Sequence, residues 1–316
     1  MTSLGRTDLE VFPICLGGNV FGWTADDAQS RAVLDAYAAA GGNFIDTANS
    51  YLVEHGRSET IIGRWMADRG NSDRLVVATK VGGGQGPVRN LRPDTIEREA
   101  HASLERLQTE RIDLYYAHFD DADTPLEESL RAFDALVRAG TVRHIGASNY
   151  TPERLTAALE LQRELGLAEF TVLQPHYNLV ERDFERTLLP VADAWDLAVL
   201  PYFALAKGFL TGKYRPGGEA VESPRADAAR AYFDRGGTAV LAVLDEVATT
   251  HETTVAAVAL AWLRAQPQVV APIASARNTD QLEQILPAAT LELTHTEIER
   301  LRVSDEHFNQ IEGGAR

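Results

Sequence analysis

The chain has 316 residues, 45% of them hydrophobic and 24% charged, which is ordinary for a globular protein able to bury a large core. Its 30 lysines and arginines against 46 acids leave a net charge of −16, which opposes binding to nucleic acid or to an anionic membrane surface. No apolar run approaches the ~20 residues of a bilayer span, and the single cysteine, Cys15, allows neither an internal disulfide nor a thiolate metal cluster. The opening MTSLGRTDLEVF lacks the basic start, apolar core and cleavage site of a signal peptide, so a cytoplasmic location is expected. Most of the surplus carboxylates read as a solvated surface, and an anionic ligand must find local positive charge.

In chain order, short β-rich apolar runs predict strands at Val11–Leu16, Phe44–Asp46, Leu75–Thr79, Ile112–Ala117, Val142–Gly146, Thr171–Leu173, Ala198–Leu200 and Val269–Ala271. Amphipathic stretches between them predict helices, among them Ala25–Ala40, Pro93–Leu107, Pro125–Ala139 and Thr151–Leu165. Start signals mark three of these: Arg92-Pro93 with Asp94, Thr124-Pro125 with Glu127 and Glu128, and Thr151-Pro152 with Glu153. The alternation predicts an α/β fold, a single-domain (β/α)8 TIM barrel over residues 1–316. An open doubly wound sheet would carry a GxGxxG turn after its first strand, and none is present. Gly82-Gly83-Gly84 comes nearest, but no helix start follows directly and it reads as a loop. No repeat or low-complexity linker divides the chain. The irregular stretch from Tyr214 to Gly237, rich in proline and glycine, reads as a long loop near the barrel mouth, either a lid or plain surface.

In a β/α barrel the chemistry sits where the strands end. Here the runs NFIDTANSY, LVVATK, DLYYAHFD, VRHIGASNY, FTVLQ and LAVLPY deliver Asp46 and Tyr51, Lys80, His118, Ser148 and Asn149, Gln174, and Tyr202. Each alone has a structural reading, as a loop cap, a solvated strand end or a core aromatic. Together they are hard to assign to packing, because polar groups meeting at one mouth must each be desolvated and partnered. A free tyrosine, with pKa near 10, is a poor acid at neutral pH. An ammonium about 4 Å away would stabilise its phenolate by roughly 4 kcal/mol at an effective dielectric of 20, and Lys80 could supply it. Asp46 would hold Lys80 charged while weakening that effect. His118 suits a hydrogen bond to a substrate carbonyl. None of these groups carries a hydride, so reduction requires a cofactor. Ser148, Asn149 and Gln174 could hold a carboxamide edge, and Tyr202 offers a flat face to a ring.

These residues resemble the aldo-keto reductase superfamily across essentially the whole chain. The segments LGGNVFG, FIDTANSY with GRSETIIG, LVVATK, DLYYAH, IGASNY, LQPHYNL, GFLTGKY and PIASARNTDQLEQ stand in that family's order. The resemblance implies a cytoplasmic NAD(P)H-dependent reductase of a small carbonyl substrate, with its catalytic tetrad at Asp46, Tyr51, Lys80 and His118. It places the nicotinamide against Ser148, Asn149, Gln174 and Tyr202, near Gly18, Asn19 and Asp46. The phosphates would lie over Leu205, Gly208 and Lys213, and the adenosine end over Ser275, Arg277, Gln281 and Glu283. Arg277 is placed to meet a 2′-phosphate, which favours NADPH over NADH. Two departures concern the cofactor side. Phe203 and Ala204 stand where many relatives have serine and proline, and Ile285 where many have an adenine-touching asparagine.

Trp23, Phe21, Phe119, Tyr150 and Phe203 could line a substrate pocket together with Tyr51 and His118, or could be core. Other classes are a cofactor-binding regulator without turnover and a Schiff-base aldolase using Lys80. A metal hydrolase finds no HxH pair. Self-association stays open.

Overall fold

The computed structural model describes residues 1–51, 54–83, 89–218 and 221–303; Gly84 of the glycine cluster, Glu219 and Ala220 of the long loop, and 304–316 of the expected domain lie outside these. Strands β1 (Thr2–Ser3) and β2 (Glu10–Val11) form an antiparallel hairpin. The barrel strands are β3 (Cys15–Gly17), β4 (Phe44–Asp46), β5 (Val76–Val81), β6 (Ile112–Ala117), β7 (Val142–Ser148), β8 (Phe170–Gln174), β9 (Ala198–Val199) and β10 (Ile273–Ala274). These eight are parallel, in the order β10-β3-β4-β5-β6-β7-β8-β9. The ring closes through Val199 N–H donating to Gln268 O (2.8 Å), Val270 N–H to Val199 O (3.0 Å) and Ile273 N–H to Pro201 O (2.9 Å). The fold is a (β/α)8 barrel.

Two prolines explain where the strands depart from the apolar runs. Proline has no amide hydrogen for a ladder. Pro13 therefore splits the run predicted as Val11–Leu16 into β2 and β3. Pro272 stands before β10, and the run predicted as Val269–Ala271 contributes only an isolated bridge from Val269 to Val199.

The helices are α1 (Asp27–Ala39), α2 (Arg57–Arg69), α3 (Pro93–Leu107), α4 (Leu126–Arg138), α5 (Pro152–Leu165), α6 (Asp183–Thr187), α7 (Leu189–Ala194), α8 (Ala226–Arg230), α9 (Gly237–Thr250), α10 (Val255–Arg264), α11 (Thr279–Ile285) and α12 (His295–Val303). Asp26 and Gln29 form a reciprocal capping box on α1, and Thr151 accepts from Arg154 N–H at the start of α5, caps worth about 1 kcal/mol each. Thr124, by contrast, donates to Asp121, and Pro125 starts α4 without a side-chain cap. On α4 the buried Leu130, Phe133 and Leu136 recur at helical spacing and face the strands. Gly63 lets α2 meet α3 closely, since a Cβ there would stand 2.1 Å from Arg106 O. No helix among the described residues is long and apolar enough to cross a membrane.

Strand parity sorts the side chains into two cores. Ile45, Val77, Val81, Tyr115, Ala117, Ile145 and Ala147 pack outward against the helices. Phe44, Val76, Ala78, Leu114, Tyr116 and Val172 point inward, and Leu4, Leu9 and Val11 of the hairpin join them as a floor. Continuing the inward register toward the strand ends reaches Asp46 after Phe44, Lys80 after Ala78, His118 after Tyr116, and Gln174 after Val172. The fold itself brings these polar groups to one rim.

Candidate active site

Asp46 ends β4 and Lys80 is the penultimate residue of β5; both are almost fully buried. Four oxygens surround the Lys80 ammonium: Asp46 Oδ2 at 2.6 Å, Asp46 Oδ1 at 2.7 Å, Thr47 O at 2.7 Å and the Tyr51 hydroxyl at 2.8 Å. Tyr51 in turn donates to Asp46 Oδ2 at 2.8 Å, and Gln174 Nε2 reaches Asp46 Oδ1 from β8 at 2.8 Å. Every lone pair of the buried carboxylate is thereby drawn upon, which is what makes such a charge tolerable. Burial pulls the Lys80 pKa down, opposed by Asp46. Lys80 does not line the cavity described below, so its nitrogen is not presented to a carbonyl compound as an aldolase lysine would be.

The Tyr51 phenol is tuned in the direction opposite to the expected one. Burial first, and the Asp46 charge second, push its pKa well above 10. Lys80 does not set the direction, because Asp46 lies as close to the phenol, at 2.8 Å, and accepts its proton. His118 follows β6, its ring centre 6.3 Å from that of Tyr51 and 4.7 Å from that of Phe119. Burial, then the charges of Lys80 and Arg89, hold it well below 6.5, so it is neutral. Ser50 Oγ lies 3.4 Å from its Nδ1. Gly83 makes room for that pair, because a Cβ there would fall 2.5 Å from His118 Nδ1 and 2.6 Å from Ser50 Oγ.

Ser148 and Asn149 extend the ring of polar groups. Ser148 Oγ donates to Gln174 O (2.8 Å), Asn149 Nδ2 to His118 O (2.8 Å), and the Tyr202 hydroxyl to Asn149 Oδ1 (2.8 Å). Tyr202 stacks on His176, with ring centres 5.4 Å apart and planes at 13°. Burial raises the Tyr202 pKa.

All of this opens into a cavity of about 630 Å³, a volume typical of small-molecule sites. Asp46, Tyr51 and His118 line it with Ser148, Asn149, Gln174 and Tyr202. Further along come Asn19, Leu205, Gly208, Lys213, Ser275, Arg277 and Gln281, all singled out in the sequence, together with Trp23, Phe119 and Phe203. Gly18 is buried behind the lining, and Glu283 points into solvent on the opposite side of α11. Phe21 and Tyr150 lie in the outer core. Lining groups that sequence reasoning missed include Lys207, Ser223, Arg225 and Gln284. Three of the lining residues, Ser223, Pro224 and Arg225, belong to the long irregular stretch, which also contains α8.

Between β9 and α8 the backbone is left-handed at Phe203 (φ 50°), Ala206 (φ 47°), Lys207 (φ 58°) and Gly208 (φ 96°). Consecutive turns of this kind aim amide hydrogens at one point and make anion-binding concavities. Lys207, Lys213, Arg225 and Arg277 line the same cavity, and none makes an ion pair among the described residues. A pocket lined by four cations and a proton-bearing tyrosine suits an anionic nucleotide cofactor.

The family model for the aldo/keto reductases matches residues 13–306. The chain belongs to the aldo/keto reductase family. Among related members, aldo-keto reductase ausK of Aspergillus calidoustus is 36% identical over 315 residues, 93% of this chain and 78% of its own. The uncharacterized oxidoreductase YrpG of Bacillus subtilis is 35% identical over 306 residues, 92% of this chain and 91% of its own. Norsolorinic acid reductase B of Aspergillus parasiticus is 33% identical over 309 residues, 92% and 80% of the two chains. As an aldo/keto reductase, the protein is an oxidoreductase that acts on carbonyl groups with a nicotinamide cofactor.

Proposed function

We propose that this protein is a cytoplasmic reductase of aldehydes or ketones that uses NADPH, with Tyr51 as the proton donor. The observation that carries the reading is the Tyr51 hydroxyl, held between Asp46 Oδ2 and Lys80 Nζ at 2.8 Å from each and lining the cavity that also presents Arg277. Ser148, Asn149, Gln174 and Tyr202 would hold the nicotinamide, with Asn19 nearby. Leu205, Gly208 and Lys213 would hold the diphosphate, and Ser275, Arg277 and Gln281 the adenosine end. A bound nicotinamide supplies the hydride.

Because burial and Asp46 keep the phenol protonated through neutral pH, Tyr51 always has a proton to give. The acid is weak at rest, yet an oxygen that gains alkoxide character as hydride reaches its carbon is a stronger base than a phenolate, so transfer runs toward the substrate. Lys80, 2.8 Å from the phenolic oxygen, stabilises the phenolate that remains. Asp46 holds Lys80 charged and in place. In the tautomer in which Ser50 Oγ, 3.4 Å away, donates to Nδ1, neutral His118 carries its proton on Nε2 and donates to the carbonyl oxygen, fixing the angle of approach.

Tyr51→Phe tests this. With an activated aromatic aldehyde, consumption of NADPH followed by absorbance should fall by about 10²- to 10⁴-fold, the usual share of a general acid. NADPH binding followed by fluorescence should change by less than about threefold. Equal turnover in the two proteins would remove Tyr51 from its role.

A further inference from the structure

A row of polar side chains on α3 has no part in the scheme above. Glu99, Ser103 and Arg106 recur there at helical spacing and share one face. At the lower end of the row, Arg106 Nε donates at 2.6 Å to Glu59 of α2, a fully buried carboxylate that also accepts from Thr79 Oγ1 at 2.5 Å. Thr79 precedes Lys80 on β5, so this pair stands behind the strand end that carries the ammonium. Arg106 Nη2 donates to Ser103 Oγ at 3.2 Å and lies 4.0 Å from Glu99 Oε2, which links the row to its upper end.

That upper end meets the chain on either side of Tyr51. Glu99 Oε2 accepts from Asn49 Nδ2 at 3.0 Å, and His55 Nε2 lies 2.9 Å from the same oxygen. Asn49 is 2% exposed and its Oδ1 has no partner among the described residues, so Glu99 alone ties its side chain there. The backbone closes at the same place, where Gly56 N–H donates to Asn49 O at 2.7 Å. Gly56 is left-handed (φ 75°), and a Cβ on it would fall 2.1 Å from Arg106 Cδ. Arg106 therefore packs against the point at which the turn rejoins α2.

We propose that Glu99 is a positioning residue for the proton donor: reaching across from α3, its carboxylate clasps both limbs of the turn that carries Tyr51, through Asn49 and His55, and so fixes where the phenol stands. The inference rests on the reductase reading. Tyr51 can act with Asp46 and Lys80 only while its hydroxyl stays within hydrogen-bond reach of both, and the substrate oxygen must meet it there. Asp46 and Lys80 are held by strand register, whereas a side chain on a turn stands where the anchors of that turn put it. A misplacement near 1 Å can cost about 10²-fold in rate.

The test follows single-turnover oxidation of NADPH by stopped-flow absorbance with an activated aromatic aldehyde, NADPH binding by fluorescence, and thermal melting. The proteins are wild type, Glu99→Ala, Asn49→Ala, their double variant, Glu99→Gln and Asp35→Ala. Asp35 is the control, since it accepts from Trp65 and Arg69 at the far end of α2 from the turn. The single-turnover rate should fall about tenfold or more in Glu99→Ala and in Asn49→Ala, with NADPH binding nearly unchanged. The double variant should lose no more than the larger single loss, because both act through one contact. Glu99→Gln, whose amide oxygen still accepts from Asn49, should recover part of the rate, and Asp35→Ala should melt lower at the wild-type rate. An unchanged rate in Glu99→Ala, or losses that multiply in the double variant, overturns the inference and leaves the reductase reading intact. A loss in Asp35→Ala as large as that in Glu99→Ala also overturns it, and assigns the effect to the stability of α2. A wild type that oxidises no NADPH with any aldehyde overturns the reductase reading, and this inference with it.

Discussion

Removing the Lys80 ammonium isolates a charge that the fold cannot re-solvate. In Lys80→Met the Asp46 carboxylate keeps two donors, the Tyr51 hydroxyl and Gln174 Nε2, each at 2.8 Å, but loses the cation that touches both its oxygens. Asp46 is only 2% exposed, so water cannot take the place of the ammonium. Deleting one partner of a buried pair costs about 3–5 kcal/mol. At about 2 °C per kcal/mol for a chain of this size, thermal unfolding should move down by roughly 6–10 °C. Asp46→Asn should lose a comparable amount, since it strands the ammonium instead. The double variant Asp46→Asn with Lys80→Met removes both charges, and its loss should fall short of the sum of the single losses by about 2 kcal/mol or more. Circular dichroism melts at a fixed scan rate measure all four proteins. A single variant within about 1 kcal/mol of wild type, or a double variant that equals the sum, would refute the account of the ion pair.

Other consequences follow from the same geometry. With His118 held well below 6.5 and Tyr51 well above 10, kcat should be flat between about pH 6 and 9, and a limb in that range that disappears in His118→Gln would contradict the assignment of a neutral imidazole. The depressed His118 pKa also means that the unfolded chain binds this proton first, so its contribution to stability is present above about pH 6.5 and is lost as pH falls from there toward the folded pKa. Urea midpoints across that range should show this slope weakened in His118→Gln. Gly83→Ala should displace His118 or Ser50 and lower kcat by about tenfold or more without changing the melting profile greatly, since a misplacement near 1 Å can cost about 10². Arg277→Ala should weaken NADPH binding by about tenfold or more and NADH binding by less than threefold in fluorescence titrations, if the guanidinium meets a 2′-phosphate. Equal weakening of both would remove that role.

What could be read from the sequence was whatever repeats with a period. Strand parity carries Asp46, Lys80, His118 and Gln174 to the inner rim, and each stands two residues beyond an apolar inward residue, so the strand ends were visible in the pattern. The strand bounds at either end were not, because Pro13 and Pro272 interrupt apolar runs in which hydrophobicity alone shows no break. Along α11 the helical turn decides the lining: Gln281, Gln284 and Ile285 face the cavity while Glu283 faces solvent, a distinction that motif order does not make. Arg225 and Lys207 sit on irregular backbone, where no periodicity indicates which way a side chain points. The direction of the Tyr51 shift turns on which neighbour accepts its proton, and that requires coordinates.

The hairpin beneath the barrel has a kinetic meaning. With Leu4, Leu9 and Val11 sealed into the interior, the described barrel is a cup, and everything that arrives or departs must cross the same rim. Two ligands that share one doorway cannot exchange independently, since the one lying nearer the opening must leave before the deeper one is free. Departure is then a step in every cycle, and changes to the segment from Ser223 to Arg225 at that opening should alter turnover even where the reacting atoms are untouched.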